Sequence, residues 1–172
     1  MKSIIWITGL SGAGKSTLAK HLVDLLRARG ETVVFLDGDE LREVFGATVA
    51  SEANHGREAR LALAMQYAKL CRVLSSQGLT VVIATISLFR EIHEWNRTNL
   101  PGYFEVYLQV PLEELRRRDP KKIYRRFDAG ELKYVAGLDL PVDLPESPDM
   151  IIEFDSVQSV SEVATRVLNS IN

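Results

Sequence analysis

Residues 9–16, Gly9-Leu10-Ser11-Gly12-Ala13-Gly14-Lys15-Ser16, match the spacing G-x-x-x-x-G-K-[ST], and few short patterns restrict a fold as strongly. The glycines let successive backbone N–H groups turn toward a phosphate chain, and the N-terminus of a following helix adds a favourable dipole. Lys15 then reaches the β- and γ-phosphates, and the Ser16 hydroxyl is placed to ligate Mg²⁺. Such a loop needs a strand before it and a helix after it. Both are legible: 3–8 is a short apolar run, SIIWIT, and 15–29 is an amphipathic pattern. A motor, a hydrolysing switch and a small-molecule kinase all begin this way, so the destination of the γ-phosphate must be read elsewhere.

Four more runs rich in Val, Ile and aromatics follow at 32–37, 79–85, 103–110 and 149–154. Helical patterns separate the runs near 55–77, 88–99, 111–118 and 157–171. Continuous apolar strands alternating with helices predict a doubly wound α/β fold. The expected architecture is a mainly parallel five-stranded sheet with helices on both faces, the P-loop nucleoside-triphosphate hydrolase/kinase fold. No repeat or linker divides residues 1–172, so one domain is expected, and 172 residues suffice for a substantial core. The formal charge of −2 does not mark a nucleic-acid binder. A single cysteine, Cys71, excludes an internal disulfide and a multi-cysteine metal cluster, and its apolar setting predicts a buried thiol. The longest apolar stretch, LTVVIATISLF at 79–89, falls short of the roughly 18 residues of a membrane span. The first strand is likewise too short for a signal-peptide core, and a cytoplasmic enzyme with no membrane partner is expected.

The second strand runs into FLDGDELR at 35–42. Asp37 and Asp39 would then lie at the carboxyl edge of the sheet, where open α/β folds bind ligands. One carboxylate there helps hold Mg²⁺, and the other accepts a hydroxyl proton during phosphoryl transfer. Asp39 also suits the N-cap of a short helix. Arg42, one turn later, could hold an anionic acceptor. A guanine-specifying N-K-x-D is absent, with NRTN at 96–99 the nearest match, and the strand at 79–85 ends in Thr85, not an acid. Small-molecule kinase chemistry with ATP and Mg²⁺ is therefore expected. Residues 116–149, dense in charge and then in Pro, Gly and Asp, read as a solvated loop with a basic helix or as a flap over the site.

GLSGAGKST, LDGDELR, ISLFR and RDPKKIYRRFDAGELKYVAGLDLPVDLPESPD, in this order over nearly the whole chain, resemble the adenylylsulfate (APS) kinases. That resemblance implies transfer of the γ-phosphate of ATP to the 3′-hydroxyl of adenosine 5′-phosphosulfate, as in sulfate activation. It makes the segment from about 116 to 148 a lid over both nucleotides. It implies an ATP phosphate site at Gly9, Ser11, Gly12, Ala13, Gly14, Lys15, Ser16 and Thr17. Ser16 and Asp37 would hold the metal, and Lys15, Asp37, Asp39 and Ser87 would carry the catalysis, with Asp39 the base. Arg42, Arg57, Ile86, Ser87, Arg90 and Lys133 would join Asp39 at the acceptor, and Arg118 would reach the donor. A serine at the Ser87 position has been labelled a phospho-intermediate in the family, but in-line transfer needs no covalent step, and positioning is the expected role. Family members are commonly homodimers.

The departures from the family pattern cluster at the acceptor. The stretch that typically reads D-L-G-F-S-x-x-D-R-x-E-N-I-R-R is ATVASEANHGREARLAL here, with Arg60, Ala62 and Leu63 replacing an Asn and two arginines. The lid pattern K-N-F-T-G is KYVAG, with Val135 for phenylalanine, and Leu88-Phe89 replaces Pro-Tyr. Both lost phenylalanines clasp the adenine of APS in the family, and one aromatic stack is worth roughly 1–3 kcal/mol. Tyr134 or Phe45 could compensate. The other reading is a changed nucleotide-linked acceptor, such as the cytidine diphosphoramidate used by a kinase of this kind in capsule modification. A third class, a non-catalytic nucleotide-binding regulator, is disfavoured by intact Lys15, Ser16, Asp37 and Asp39. His21, His55 and His93 form no metal-ligand spacing, and His55 alone is a candidate acceptor contact.

Overall fold

The structure, a computed structural model, describes residues 3–47 and 56–171. Five strands, β1 (Ile4–Thr8), β2 (Val33–Asp37), β3 (Thr80–Ala84), β4 (Tyr103–Gln109) and β5 (Met150–Glu153), pair in the order β2-β3-β1-β4-β5. Every pairing is parallel; Ile5 lies opposite Val82 on one side and Phe104 on the other. Among the described residues the helices are α1 (Lys15–Ala28), α2 (Gly38–Val44), α3 (Arg57–Ser76), α4 (Arg90–Asn99), α5 (Leu112–Arg118), α6 (Ile123–Asp128) and α7 (Val160–Ser170).

Side chains on a strand alternate between faces, and β1 divides the interior accordingly. Ile5 and Ile7 pack into a core with Leu18, Leu22 and Leu26 of α1 and Val163 and Val167 of α7. Ile4 and Trp6 face the opposite core, built on Ala64, Tyr67, Ala68 and Cys71 of α3 and Ile92 of α4. Both faces of β1 are therefore dry, which is why its five residues are all apolar or, at Thr8, fully buried. Burial pushes the Cys71 thiol up to about 12, so it is a packing group with no reactive thiolate. No helix of the described residues is long and apolar enough to cross a membrane.

β1 and β3 are neighbours, yet the chain leaves their carboxyl ends over opposite faces, toward α1 and α4. A crevice opens where the connections part, and the glycine loop and the Asp37–Asp39 turn sit at its rim. Three local features differ from expectation. Residues 85–89 form no regular element, with Ser87 at a left-handed φ of 35°, and α4 begins at Arg90 because Phe89 is its N-cap in an extended conformation. The N-cap of α2 is Asp37, not Asp39: the Asp37 side chain accepts the Asp39 backbone N–H at 2.9 Å. The 116–149 segment carries α6 and buries Tyr124, Val135, Ala136 and Leu140, with Tyr124 part of the core on the α1 side, so it is not wholly a solvated loop.

Gly38, between the two acidic residues, shows how tightly α2 is set against β3. A Cβ there would lie 2.9 Å from the Ala84 carbonyl oxygen and 3.2 Å from the Thr85 side chain. Both obstacles are close to sheet backbone and cannot rotate away. Gly38→Ala is expected to destabilise the fold by about 1–3 kcal/mol, the scale of an overpacked core. Denaturant unfolding measures it; unchanged stability would mean that α2 shifts freely.

Candidate active site

Where the carboxyl ends of β1, β2 and β3 meet the 116–148 segment, a cleft of about 490 Å³ opens. It is lined by the glycine loop, Asp37, Asp39, Arg42, Arg60, Tyr67, residues 84–89, Arg118, Pro120, Lys121 and the turn at Ala136–Val142. Its lining carries five cations, Lys15, Arg42, Arg60, Arg118 and Lys121, against the carboxylates of Asp37 and Asp39. A cavity with that excess attracts polyanions. A second cavity of about 290 Å³ shares Gly14, Thr17 and Arg118 with the first and continues to Leu108, Val110, Phe154, Asp155 and Gln158.

Gly14, at φ 96°, is the N-cap of α1 and provides no side-chain cap. The first-turn N–H groups of α1 thus have no side-chain cap competing with an incoming anion. Lys15 folds back over the loop and donates from Nζ to the Leu10 carbonyl at 2.8 Å. Burial, reinforced by the nearby Lys121 ammonium, pushes its pKa down to about 8, although Asp39 and Asp37 pull the other way. Ser16 donates its hydroxyl to Asp37 Oδ2 at 2.5 Å, so Asp37 serves the helix cap with one oxygen and the loop with the other.

Two oxygens converging beside the phosphate loop are a donor set that suits Mg²⁺, which takes one or two protein oxygens and completes its shell from phosphates and water. Among the described residues no group of three or more His, Cys, Asp or Glu is placed to hold a metal alone. The residues therefore fit a metal that arrives with a nucleotide, held by Ser16 and Asp37.

Asp39 is largely exposed and forms an ion pair with Lys121 from the 116–148 segment. Arg42, one turn along α2, lines the cleft, and its Nη2 is sealed from solvent without a hydrogen-bond partner. Ser87 is buried, with its hydroxyl 2.8 Å from that of Thr85, while the Ile86 carbonyl accepts the Thr8 hydroxyl and anchors the 85–89 strand end to β1. Arg118 donates to Glu114 at 2.6 Å and lies over the Phe154 ring at 4.9 Å, forming the wall between the two cavities.

The remaining expected residues lie elsewhere. Arg57 is held outside the cleft lining by Glu91 at 2.9 Å and Asp143 at 3.2 Å. Arg90 is exposed and pairs with Glu146 at 3.3 Å, and Lys133 is exposed on the 116–148 segment; neither lines the cleft. Val135 is buried, Tyr134 does not line the cleft, and Phe45 tilts against Tyr67 at 5.8 Å. His55 lies outside the described residues.

Three groups inside the RDPKKIY stretch, of which Lys121 lines the cleft, were unassigned from sequence. Asp119 accepts the backbone N–H groups of Tyr124 and Arg125, which fixes the start of α6. That turn aims Lys121 at Asp39, and the Tyr124 hydroxyl donates to the Ser11 carbonyl at 2.7 Å. Arg60, Tyr67 and Thr85 had no local signal beyond their spacing on α3 and β3.

A family model described as adenylylsulphate kinase matches residues 1–153. The chain is 34% identical over 168 residues to the cytidine diphosphoramidate kinase of Campylobacter jejuni, covering 98% of this chain and 95% of that protein. It is 37% identical over 155 residues to the adenylyl-sulfate kinase of Deinococcus deserti, covering 90% and 83%. Among solved structures it is similar to the APS kinase of Mycobacterium tuberculosis in complex with AMPPNP and APS, with a TM-score of 0.86, 30% identity and coverage of 98% and 96%.

Proposed function

The chain belongs to the adenylylsulphate kinase family, and from that premise we propose that it transfers the γ-phosphate of ATP to a hydroxyl of a nucleotide-linked acceptor of the cytidine diphosphoramidate type. The observation that carries this reading is the pair of cavities joined at the glycine loop. Adenine of ATP fits the smaller one, against Phe154 and beside Arg118, which leaves the triphosphate along Gly12–Thr17. The acceptor takes the larger one, beyond Asp39.

The acceptor end has aliphatic walls from Leu63, Leu88, Leu140, Pro141 and Val142, with Tyr67 and Phe89 as its aromatic members. Val135, at the lid position where the family pattern has phenylalanine, is buried and contributes no stacking surface there. A pyrimidine needs less aromatic cover than a purine, which favours the cytidine compound. APS stands as the second reading, favoured by the likeness to the mycobacterial enzyme in complex with that nucleotide.

In the proposed reaction the acceptor oxygen attacks the γ-phosphorus in line, a new O–P bond forms, and the bond to the β-phosphate oxygen breaks to release ADP. Asp39 takes the hydroxyl proton, in exchange for its contact with Lys121. Lys15 moves from the Leu10 carbonyl to the phosphate oxygens, where charge spreads during transfer. When bound, Mg²⁺ neutralises charge on the β- and γ-oxygens. Ser87 and Thr85 orient the acceptor; with a hydroxyl as its partner, Ser87 is not activated as a nucleophile.

The test is ADP release with Mg-ATP, offering cytidine diphosphoramidate and APS separately and identifying products by mass. Turnover of the cytidine compound at kcat/KM at least about tenfold above APS is expected; tenfold corresponds to about 1.4 kcal/mol, the lower end of one lost stack. Preference for APS would install the second reading, and turnover of neither would leave a nucleotide-binding protein without this activity.

A further inference from the structure

The first two arginines of α3 part company. Arg57 turns outward, bound to Glu91 and Asp143 and lying over the Phe89 ring at 5.4 Å. Arg60, one turn later, enters the cleft and donates from Nη2 to the Tyr134 carbonyl of the lid segment at 2.6 Å. That carbonyl is deliberately presented: Tyr134 holds a left-handed φ of 60°, and Asp139 accepts the backbone N–H groups of Tyr134 and Val135 at 2.8 and 2.6 Å. Arg60 therefore reads the position of the lid while its charge faces the cavity.

Arg42 lines the same cavity from α2, with its sealed Nη2 lacking a partner. The two guanidinium groups repel, and burial together with Arg42 pushes the Arg60 pKa down to about 10, with Asp139 opposing. Both guanidinium groups line this one cavity, and guanidinium suits phosphate oxygens by shape and charge. Arg60 stands where the family pattern has Asn, so the cavity holds one cation more than that pattern implies.

We propose that Arg60, together with Arg42, binds the doubly charged phosphate linkage of the acceptor nucleotide and couples that contact to the lid through the Tyr134 carbonyl, while Arg57 takes no part. This rests on the proposed phosphotransferase reading and holds for either acceptor, since both carry two anionic groups on the 5′ side.

The experiment is calorimetric titration of cytidine 5′-diphosphate and, separately, APS into protein whose donor site is saturated with AMPPNP. Arg60→Ala is expected to weaken the better-bound probe by about 10–100-fold, the range for losing hydrogen bonds to a charged group, with AMPPNP affinity unchanged. Arg60→Lys, which keeps the charge but loses the fork, should recover part of the loss, and Arg57→Ala should shift binding by less than about threefold. Thermal unfolding of each variant separates lost folding from lost contact. Wild-type binding undiminished in a folded Arg60→Ala protein, or an equal loss in Arg57→Ala, would overturn the assignment alone. A wild-type protein that binds neither probe with AMPPNP in place would overturn the phosphotransferase reading and the assignment with it.

Discussion

Lys15→Ala is expected to lower kcat by about 10²–10³-fold, the loss typical for removing one preorganised charge-stabilising donor. In the proposed reaction Lys15 is the cation at the transferring group; in the structure it donates to the Leu10 carbonyl, 2.8 Å away. Its pKa near 8 adds a second signature. The free protein loses this proton as pH rises through about 8, whereas bound triphosphate favours the charged form and raises the pKa in the complex. Between those two values, binding takes up a proton. Affinity for an ATP analogue should therefore be flat below the free pKa and weaken above it, approaching about tenfold per pH unit. Calorimetry across pH 6.5–9.5 checks this, and Lys15→Ala should lose the slope along with the rate. A slope retained in the variant would assign the titration to another group.

Asp39→Asn should reduce kcat by about 10²-fold, with KM for ATP changed only a few-fold. General bases contribute 10²–10⁴-fold, and the lower end is expected here because a loose phosphoryl-transfer transition state asks little of the base. The same change tests the electrostatics. Asp39 is one of the two carboxylates that raise the Lys15 pKa, so its neutralisation should move the onset of the ATP-affinity slope to lower pH. Lys121→Met removes the lid's contact with Asp39 but keeps the base, and should cost less in kcat than Asp39→Asn. If Asp39→Asn lost less than about fivefold in single-turnover rate, the acceptor proton would have to leave by another route.

Local chemistry made much of the frame legible. β1 and β3 are dry on both faces, so their residues are apolar apart from one buried threonine in each, and each strand appears close to its expected bounds. The glycine loop is equally local: its conformation depends on residues within eight positions. The RDPKKIY stretch was visible as a pattern, yet the separate tasks of Asp119, Lys121 and Tyr124 were not. Two of these depend on a partner distant in sequence: Lys121 on Asp39, Tyr124 on Ser11. The six-residue helix α6 was too brief for periodicity to register, and in the short helix expected after the second strand Asp37 rather than Asp39 became the cap because the helix begins at Gly38, directly after β2.

Arginine placement marks the boundary between the two kinds of knowledge. By itself the sequence determined a parallel α/β sheet, a glycine loop leading into a helix at Lys15 and Ser16, and a pair of acids after the second strand, because backbone geometry and burial pattern are set by neighbours along the chain. Only the tertiary structure decided that Arg42, Arg60 and Arg118 line the cleft while Arg57, Arg90 and Lys133 do not. A long cationic side chain takes its direction from whichever carboxylates and carbonyls the fold brings within reach. For Arg57 these are Glu91 and Asp143; for Arg60, the Tyr134 carbonyl, 74 residues away.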